Sequence, residues 1–348
     1  MKKINTAILS FGMSGQIFHA PFINAHDGFA LVGIWERSKK LAQKKYPYVQ
    51  SYDTLEQILN NPDIDLVVVN TPTYTHYDYA AKALLANKHV IVEKAFTTTV
   101  AEAENLKKLA QQQNKLLSVF QNRRWDSDFK TVQQVIKSKA LGNINEVEIH
   151  FDRYILQPSG KEHKEKPNAG SGILKDIGPH LIDQSLVLFG MPQQVFADIR
   201  ITRPLSKVDD DFEIILYYPT FRVRLKASDI VKKPVPAFII HGINGTFMKD
   251  RIFMQETQIE KGYPPTAKIF GTESLRDQGI LFTGKNGITE RQKIETLKGN
   301  YLEYYDAIYL SLTKNKPAPV TADDGINVMK IIEASIKSND EKRVVDIV

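Results

Sequence analysis

The segment "IDLVVVN" (64–70) constrains the fold more than any other stretch of the chain. Four successive apolar residues, Leu66 to Val69, leave no polar face for water. Such a strand is covered on both sides, as strands of a parallel sheet are. Its neighbours repeat the theme. Strands are predicted over 4–11, 29–36 ("FALVGIWE"), 89–94 and 115–121, separated by helices of roughly 10–15 residues. A helix is expected from an Asp53-to-Glu56 capping box through Asn60, another over "YTHYDYAAKALLANK", and a third from a Thr99-to-Glu102 capping box to about Asn114. Pro21 must break or re-start the short helix after the first strand. Strands alternating with helices in this way indicate a doubly wound parallel sheet, a Rossmann-type α/β domain over residues 1–122. Right-handed crossovers bring every strand's carboxyl end to one edge, where ligands bind.

After residue 122 the pattern changes. A helix near 126–138 precedes strands with period-two alternation: Val147, Ile149 and Phe151 on one face, Glu146, Glu148, His150 and Asp152 on the other. "VFADIRIT", "DFEIILYYP", "FRVRLKAS" and "AFIIHGIN" continue in the same style. Residues 123–348 are therefore expected to form an α+β domain with a large, mostly antiparallel open sheet, closed by the amphipathic helix "DDGINVMKIIEASIKS". No internal repeat is visible.

Length fits two domains, because 348 residues exceed what one hydrophobic core usually spans. The 46 Lys and Arg against 40 Asp and Glu leave a net +6, but the signs are interspersed, as in "KEHKEK" (161–166), so no nucleic-acid partner is expected. Cysteine is absent, which excludes disulfides, thiolate zinc sites and a cysteine nucleophile and fits a reducing cytoplasm, the expected location. "MKKINTAILSFG" lacks a signal peptide's continuous apolar middle, and no stretch reaches the ~20 apolar residues of a membrane span.

The chemistry-bearing motifs lie at strand ends and one helix start. "SFGMSG" (10–15) is G-x-G-x-x-G with Ser10 in the first glycine's place. Gly12 lets backbone approach a pyrophosphate, and Gly15 lets the next helix pack close; Met13, Ser14 and Gln16 complete the turn. Glu36 ends the second strand near the separation expected of a carboxylate that binds an adenosine ribose. It would repel a 2′-phosphate, whereas Arg37, Ser38, Lys39 and Lys40 behind it would hold one, so NAD and NADP both remain open. "NTPTYTH" (70–76) ends a strand with Thr71-Pro72-Thr73 and puts His76 in the next helix's first turn; taken alone it reads as a proline-punctuated strand end. Glu93-Lys94 delivers a carboxylate and an ammonium to the ligand edge, where a lysine can stabilise a developing alkoxide; taken alone the pair reads equally as an exposed ion pair. "LKDIGPHLIDQ" (174–184) places His180 in the first turn of a helix that starts at Gly178-Pro179, with Asp176 just before it. The helix field there disfavours imidazolium and suits a base that begins neutral. Too few further ligands lie nearby for a metal site.

The "SFGMSG" turn, Thr71-Pro72-x-x-x-His76, Glu93-Lys94 and Asp176-x-x-x-His180, in this order along the whole chain, resemble the glucose–fructose oxidoreductase/inositol dehydrogenase (Gfo/Idh/MocA) family. "FQNRRWDSDF" (120–129) is similar to a subgroup containing NADP-dependent scyllo-inositol dehydrogenases. The resemblance implies a nicotinamide cofactor, NAD or NADP, and hydride transfer to or from a carbinol carbon of a sugar or cyclic polyol. It implies Lys94, Asp176 and His180 as the catalytic set, and Thr71, Pro72, His76 and Glu93 at the cofactor. Arg123, Arg124, Trp125, Asp126 and Tyr154 become candidates for reading substrate hydroxyls, and a homodimer or homotetramer is the expected assembly. Ala95 stands where the family's proline, often preceded by a cis bond, follows Glu-Lys. Two other readings remain at this point: a dinucleotide sensor without turnover, and a reductase of a non-sugar ketone or imine.

Overall fold

A computed structural model describes residues 3–36, 40–285 and 288–347. They form two compact units. The first comprises Met1–Asn122, Gln255–Phe270 and Asn300–Ile326; the second comprises Arg123–Met254, Gly271–Gly299 and Asn327–Val348.

The first unit is built on six parallel strands, β1 (Ile4–Ile8), β2 (Phe29–Trp35), β3 (Gln50–Tyr52), β4 (Leu66–Val69), β5 (His89–Glu93) and β6 (Leu117–Phe120), in the order β3-β2-β1-β4-β5-β6. All four residues of β4 are buried, as its unbroken apolar run requires. The chain leaves β1 toward one edge and returns beside it at β4. The topological switch point, where open α/β sheets bind ligands, therefore lies at the carboxyl ends of these two strands. Pro21 re-starts the chain as the helix Ala20–Ala25 after the irregular turn Gly15–His19. The first capping box falls one residue beyond the expected pair. Thr54 is extended and accepts the Gln57 N–H, while Asp53 is occupied by an ion pair with Lys40.

A single division after residue 122 does not describe this unit, because two later segments return to it. The helix Leu302–Lys314 carries Tyr304 and Tyr305, both fully buried, and Tyr301 just precedes it. Their rings pack on Phe22, Phe29 and Phe120, and the Ser118 hydroxyl bridges the Tyr304 hydroxyl and the Val320 carbonyl. Gly325 approaches so closely that a Cβ there would lie 2.7 Å from the Phe96 ring.

The second unit is a nine-stranded sheet. Its strands are β7 (Ile144–Asp152), β8 (Gln194–Arg200), β9 (Asp211–Tyr217), β10 (Arg222–Ser228), β11 (Phe238–Gly242), β12 (Gly245–Lys249), β13 (Gly279–Lys285), β14 (Ile288–Ile294) and β15 (Val345–Asp346). They run in the order β14-β13-β12-β11-β7-β10-β9-β8-β15, and only the β7–β10 pair is parallel. Val147 and Ile149 are fully buried, and the helix Gly178–Phe189 packs on β7 and β10. On the alternate positions, Glu146 pairs with Arg222 and Glu213 with Arg224. One polar pair is entirely enclosed: Lys249 Nζ donates to Glu273 Oε2 at 2.7 Å, both side chains having no exposure. The remaining ammonium protons go to the carbonyls of Asp250 and Asp277. No helix among the described residues is long and apolar enough to cross a membrane.

Candidate active site

In the first unit the glycine turn at the end of β1 is held by its own atoms. Asn70 donates to the Ser10 carbonyl at 2.9 Å, Gln16 to the Phe11 carbonyl at 2.8 Å, and the Ser10 hydroxyl accepts the Gly12 N–H at 3.3 Å. The two glycines serve different ends. A Cβ at Gly15 would lie 2.2 Å from the Ser10 carbonyl oxygen, so protein packing itself forbids a side chain there. A Cβ at Gly12 would meet only the Ser10 hydroxyl, at 3.5 Å. Among the described residues beyond its chain neighbours, nothing else comes within 4 Å of that position, which leaves the room an approaching pyrophosphate needs. The turn fits a dinucleotide.

Met13 is exposed and Ser14 partly so. Ser14 does not face outward alone: its hydroxyl donates to Glu93 Oε1 at 2.6 Å, fastening the turn to the end of β5. Glu93 is buried, and its other oxygen accepts the Lys94 N–H. Burial pushes the Glu93 carboxyl up. The hydrogen bond from His19 and the nearby Lys94 outweigh that and hold its pKa at about 2. The Lys94–Ala95 peptide bond is cis, with alanine in the proline's place.

Thr71, Pro72 and Thr73 lead from β4 into a short turn in which the Thr71 and Thr75 hydroxyls share a hydrogen bond. His76 is 1% exposed, and its ring nitrogens face the carbonyls of Thr71 and Ala95 at 2.9 and 2.8 Å. Burial lowers its pKa against the opposing pull of these two carbonyls. The ring braces the ends of β4 and β5 against each other.

Glu36 is placed where the sequence suggests but faces inward. Its two carboxylate oxygens accept the N–H groups of Leu41 and Ala42 at 2.9 and 2.8 Å, and the residue is 8% exposed. Arg37 and Ser38 lie outside the described residues.

In the second unit, Gly178–Phe189 begins where expected, with His180 in its first turn and 5% exposed. The preceding turn, Ile173–Asp176, is anchored by Asp209, whose side chain accepts the Leu174 N–H and whose carbonyl accepts the Ile173 N–H. Gly172 makes this possible. It has φ +90°, and a Cβ there would sit 1.9 Å from the Asp209 carboxylate. Asp176 receives Lys164 Nζ at 2.9 Å. Lys164 lies in the short turn Glu162–Glu165, and its neighbour Glu165 is reached by the buried Arg203.

The candidate substrate readers divide. Arg124 grips Asp183 through two hydrogen bonds of 2.8 and 2.6 Å. Arg123 pairs with Asp126 at 3.0 Å and lies over the rings of Phe151 and Phe253. The first of these pairs fastens Arg124 to the helix Gly178–Phe189, and the second is local to its own turn. Trp125 is half-buried, while Tyr154 is 49% exposed, with Lys232 over its ring. Sequence reasoning passed over His19, a lone histidine in a glycine-turn helix, and read Lys164 as part of a solvated mixed-charge run.

Comparison with known proteins bears on both units. A family model described as "Oxidoreductase family, NAD-binding Rossmann fold" matches residues 4–121, and one described as "Oxidoreductase family, C-terminal alpha/beta domain" matches residues 133–347. Over 342 residues the chain is 35% identical to scyllo-inositol 2-dehydrogenase (NADP(+)) IolW of Bacillus subtilis, covering 98% of this chain and 95% of that protein. The structure of an oxidoreductase from Bacteroides fragilis matches with a TM-score of 0.89 at 40% identity, over 99% of this chain and 100% of that one. That of the oxidoreductase YvaA from Bacillus subtilis matches with a TM-score of 0.95 at 34% identity, over 100% and 99%.

Proposed function

Since the chain belongs to the Gfo/Idh/MocA oxidoreductase family and is an NAD(P)-dependent enzyme, we propose that it interconverts a secondary alcohol and a ketone on a cyclic polyol of the inositol type, with NADP as the preferred cofactor. The observation that carries this reading is the 2.6 Å hydrogen bond from Ser14 to Glu93. It ties the glycine turn to the strand end after which Lys94 follows, and this supports our reading of Lys94 as acting beside a bound dinucleotide.

His180 takes the hydroxyl proton, Asp176 orients the imidazole or the substrate, and Lys94 holds the alkoxide oxygen as negative charge develops. Bound nicotinamide supplies the hydride acceptor at its C4. Thr71 and Pro72 shape the backbone at the cofactor. The preference for NADP is supported by Glu36, whose carboxylate is spent on Leu41 and Ala42 and not turned outward against a 2′-phosphate. The Bacillus subtilis relative of known activity uses NADP(+).

The test is oxidation of a panel of inositols and aldoses with each dinucleotide, followed by the absorbance of reduced nicotinamide. Turnover of an inositol with NADP, lost in Lys94→Met and His180→Asn by about 10²–10⁴-fold in kcat, is the expected result. Turnover confined to acyclic ketones or imines, or unchanged rates in both variants, would discard the proposal.

A further inference from the structure

His19 is completely buried in the first unit, yet the mechanism above does not use it. Its Nδ1 lies 2.7 Å from the Tyr305 hydroxyl and its Nε2 3.1 Å from Glu93 Oε1. Tyr305 is itself fully buried, and that burial keeps its hydroxyl protonated, well above the usual phenol range. With the phenol donating to Nδ1, Nε2 carries the ring proton and donates to Glu93. The same carboxylate oxygen takes the Ser14 hydroxyl, and the other takes the Lys94 N–H. Glu93 therefore collects donors from the glycine turn, from the turn-helix after it, and from the residue proposed to hold the alkoxide. A buried carboxylate is tolerated only when so satisfied. Removing one donor should loosen the others.

We infer that His19 and Tyr305 are positioning residues for Lys94: acting through Glu93, they keep the lysine-bearing end of β5 in fixed register with the glycine turn. The inference rests on the proposed role of Lys94. Tyr305 comes from the returning helix Leu302–Lys314, so a segment remote in sequence sets this spacing.

The test compares Tyr305→Phe, which removes one oxygen at nearly constant volume, with His19→Ala and His19→Gln, the last retaining an amide N–H near the Nε2 position. Misplacement of a reacting group by a fraction of an ångström is costly, so kcat should fall about 10- to 100-fold in Tyr305→Phe and His19→Ala. The KM for polyol and the Kd for NADPH, read by its fluorescence, should stay within about threefold, and His19→Gln should recover most of the loss. A second readout needs no substrate. Trace acetylation of Lys94, measured by mass spectrometry against the exposed Lys82, should change severalfold in the first two variants and not in His19→Gln. If the wild type oxidises no polyol, the functional proposal fails while the labelling still judges the positioning. Unaltered labelling and kcat in Tyr305→Phe and His19→Ala would overturn the inference. So would losses that merely parallel weaker NADPH binding or a lower Tm. Should His19→Ala not fold, Tyr305→Phe decides.

Discussion

Lys164 Nζ stands 2.9 Å from Asp176 Oδ2, so the proposed catalytic carboxylate already has a cationic partner within its own unit. The lysine is brought there by a turn whose next residue, Glu165, accepts the Ser159 N–H and faces Arg203. Both charges are partly solvated, so the pair adds only ~0–1 kcal/mol to stability. Its effect should appear in turnover. Lys164→Met is expected to lower kcat/KM for the polyol by about 3- to 10-fold, an ion-pair contribution of ~1 kcal/mol, with Tm nearly unchanged. Steady-state kinetics beside thermal unfolding check this, and a large Tm drop with unchanged kinetics would assign Lys164 to the scaffold.

Glu36 offers a separate test of cofactor choice. Its carboxylate accepts two backbone N–H groups at the start of a helical turn. Charge-assisted bonds of this kind contribute ~1.5–3 kcal/mol in total when lost to a neutral isostere. Glu36→Gln should therefore lower stability in urea unfolding while the NADP-to-NAD ratio of kcat/KM moves by less than about threefold. A shift of an order of magnitude would mean that the carboxylate faces the ribose in the complex.

Acid should destabilise the protein in two stages. Burial first, and Lys115 second, depress His89 from 6.5 to about 4, and its Nδ1 accepts the Leu116 N–H. The unfolded state then binds more protons below pH 6.5, so this stabilisation is complete above 6.5 and is lost as pH falls toward 4. Glu93 follows the same sign: its contribution is intact above 4.5 and is lost on the way to about 2. His89→Gln should flatten the upper stage, by ~1–2 kcal/mol after allowance for partial solvation. Urea midpoints measured across this pH range check it, and an unchanged upper stage would remove His89 from the account.

The enclosed Lys249–Glu273 pair predicts non-additivity. Lys249→Met alone strands a buried carboxylate and should cost ~3–5 kcal/mol. Adding Glu273→Leu should recover at least half of that, because two desolvated charges are removed together. Equilibrium unfolding of the two single variants and the double variant supplies the cycle, and simple additivity would contradict it.

Much of the architecture was legible because it is written in local periodicity. β4 announces itself by four apolar residues in a row, and the alternation of β7 gives its apolar buried face, although His150 on the opposite face is buried too, between Glu148 and Asp152. β3 escaped because three residues, Gln50–Tyr52, are too few to show a period. The Rossmann-type sheet and the His180 helix start were readable for the same reason, since turn chemistry and strand period are short-range signals. What could not be read were partnerships across distance. Nothing near Glu93 in sequence reveals that Ser14 and His19 donate to it, or that Lys164 reaches Asp176. The inward turn of Glu36 was equally hidden, because a carboxylate at a strand end can serve its own loop or a ligand with the same spacing. The helix Leu302–Lys314 went unread as well, and no local rule says which unit such a helix will join.

The three tyrosines of that returning segment have a consequence for how the protein is made. Each ring withdrawn from water is worth ~2–3 kcal/mol, and together they rival the entire margin by which a typical domain stays folded. A nascent chain released at residue 122 would have all six parallel strands and a greasy hole where Tyr301, Tyr304 and Tyr305 belong. Synthesis must pass residue 305 before that hole can be plugged, so the earliest-translated third of the sequence is among the last to mature.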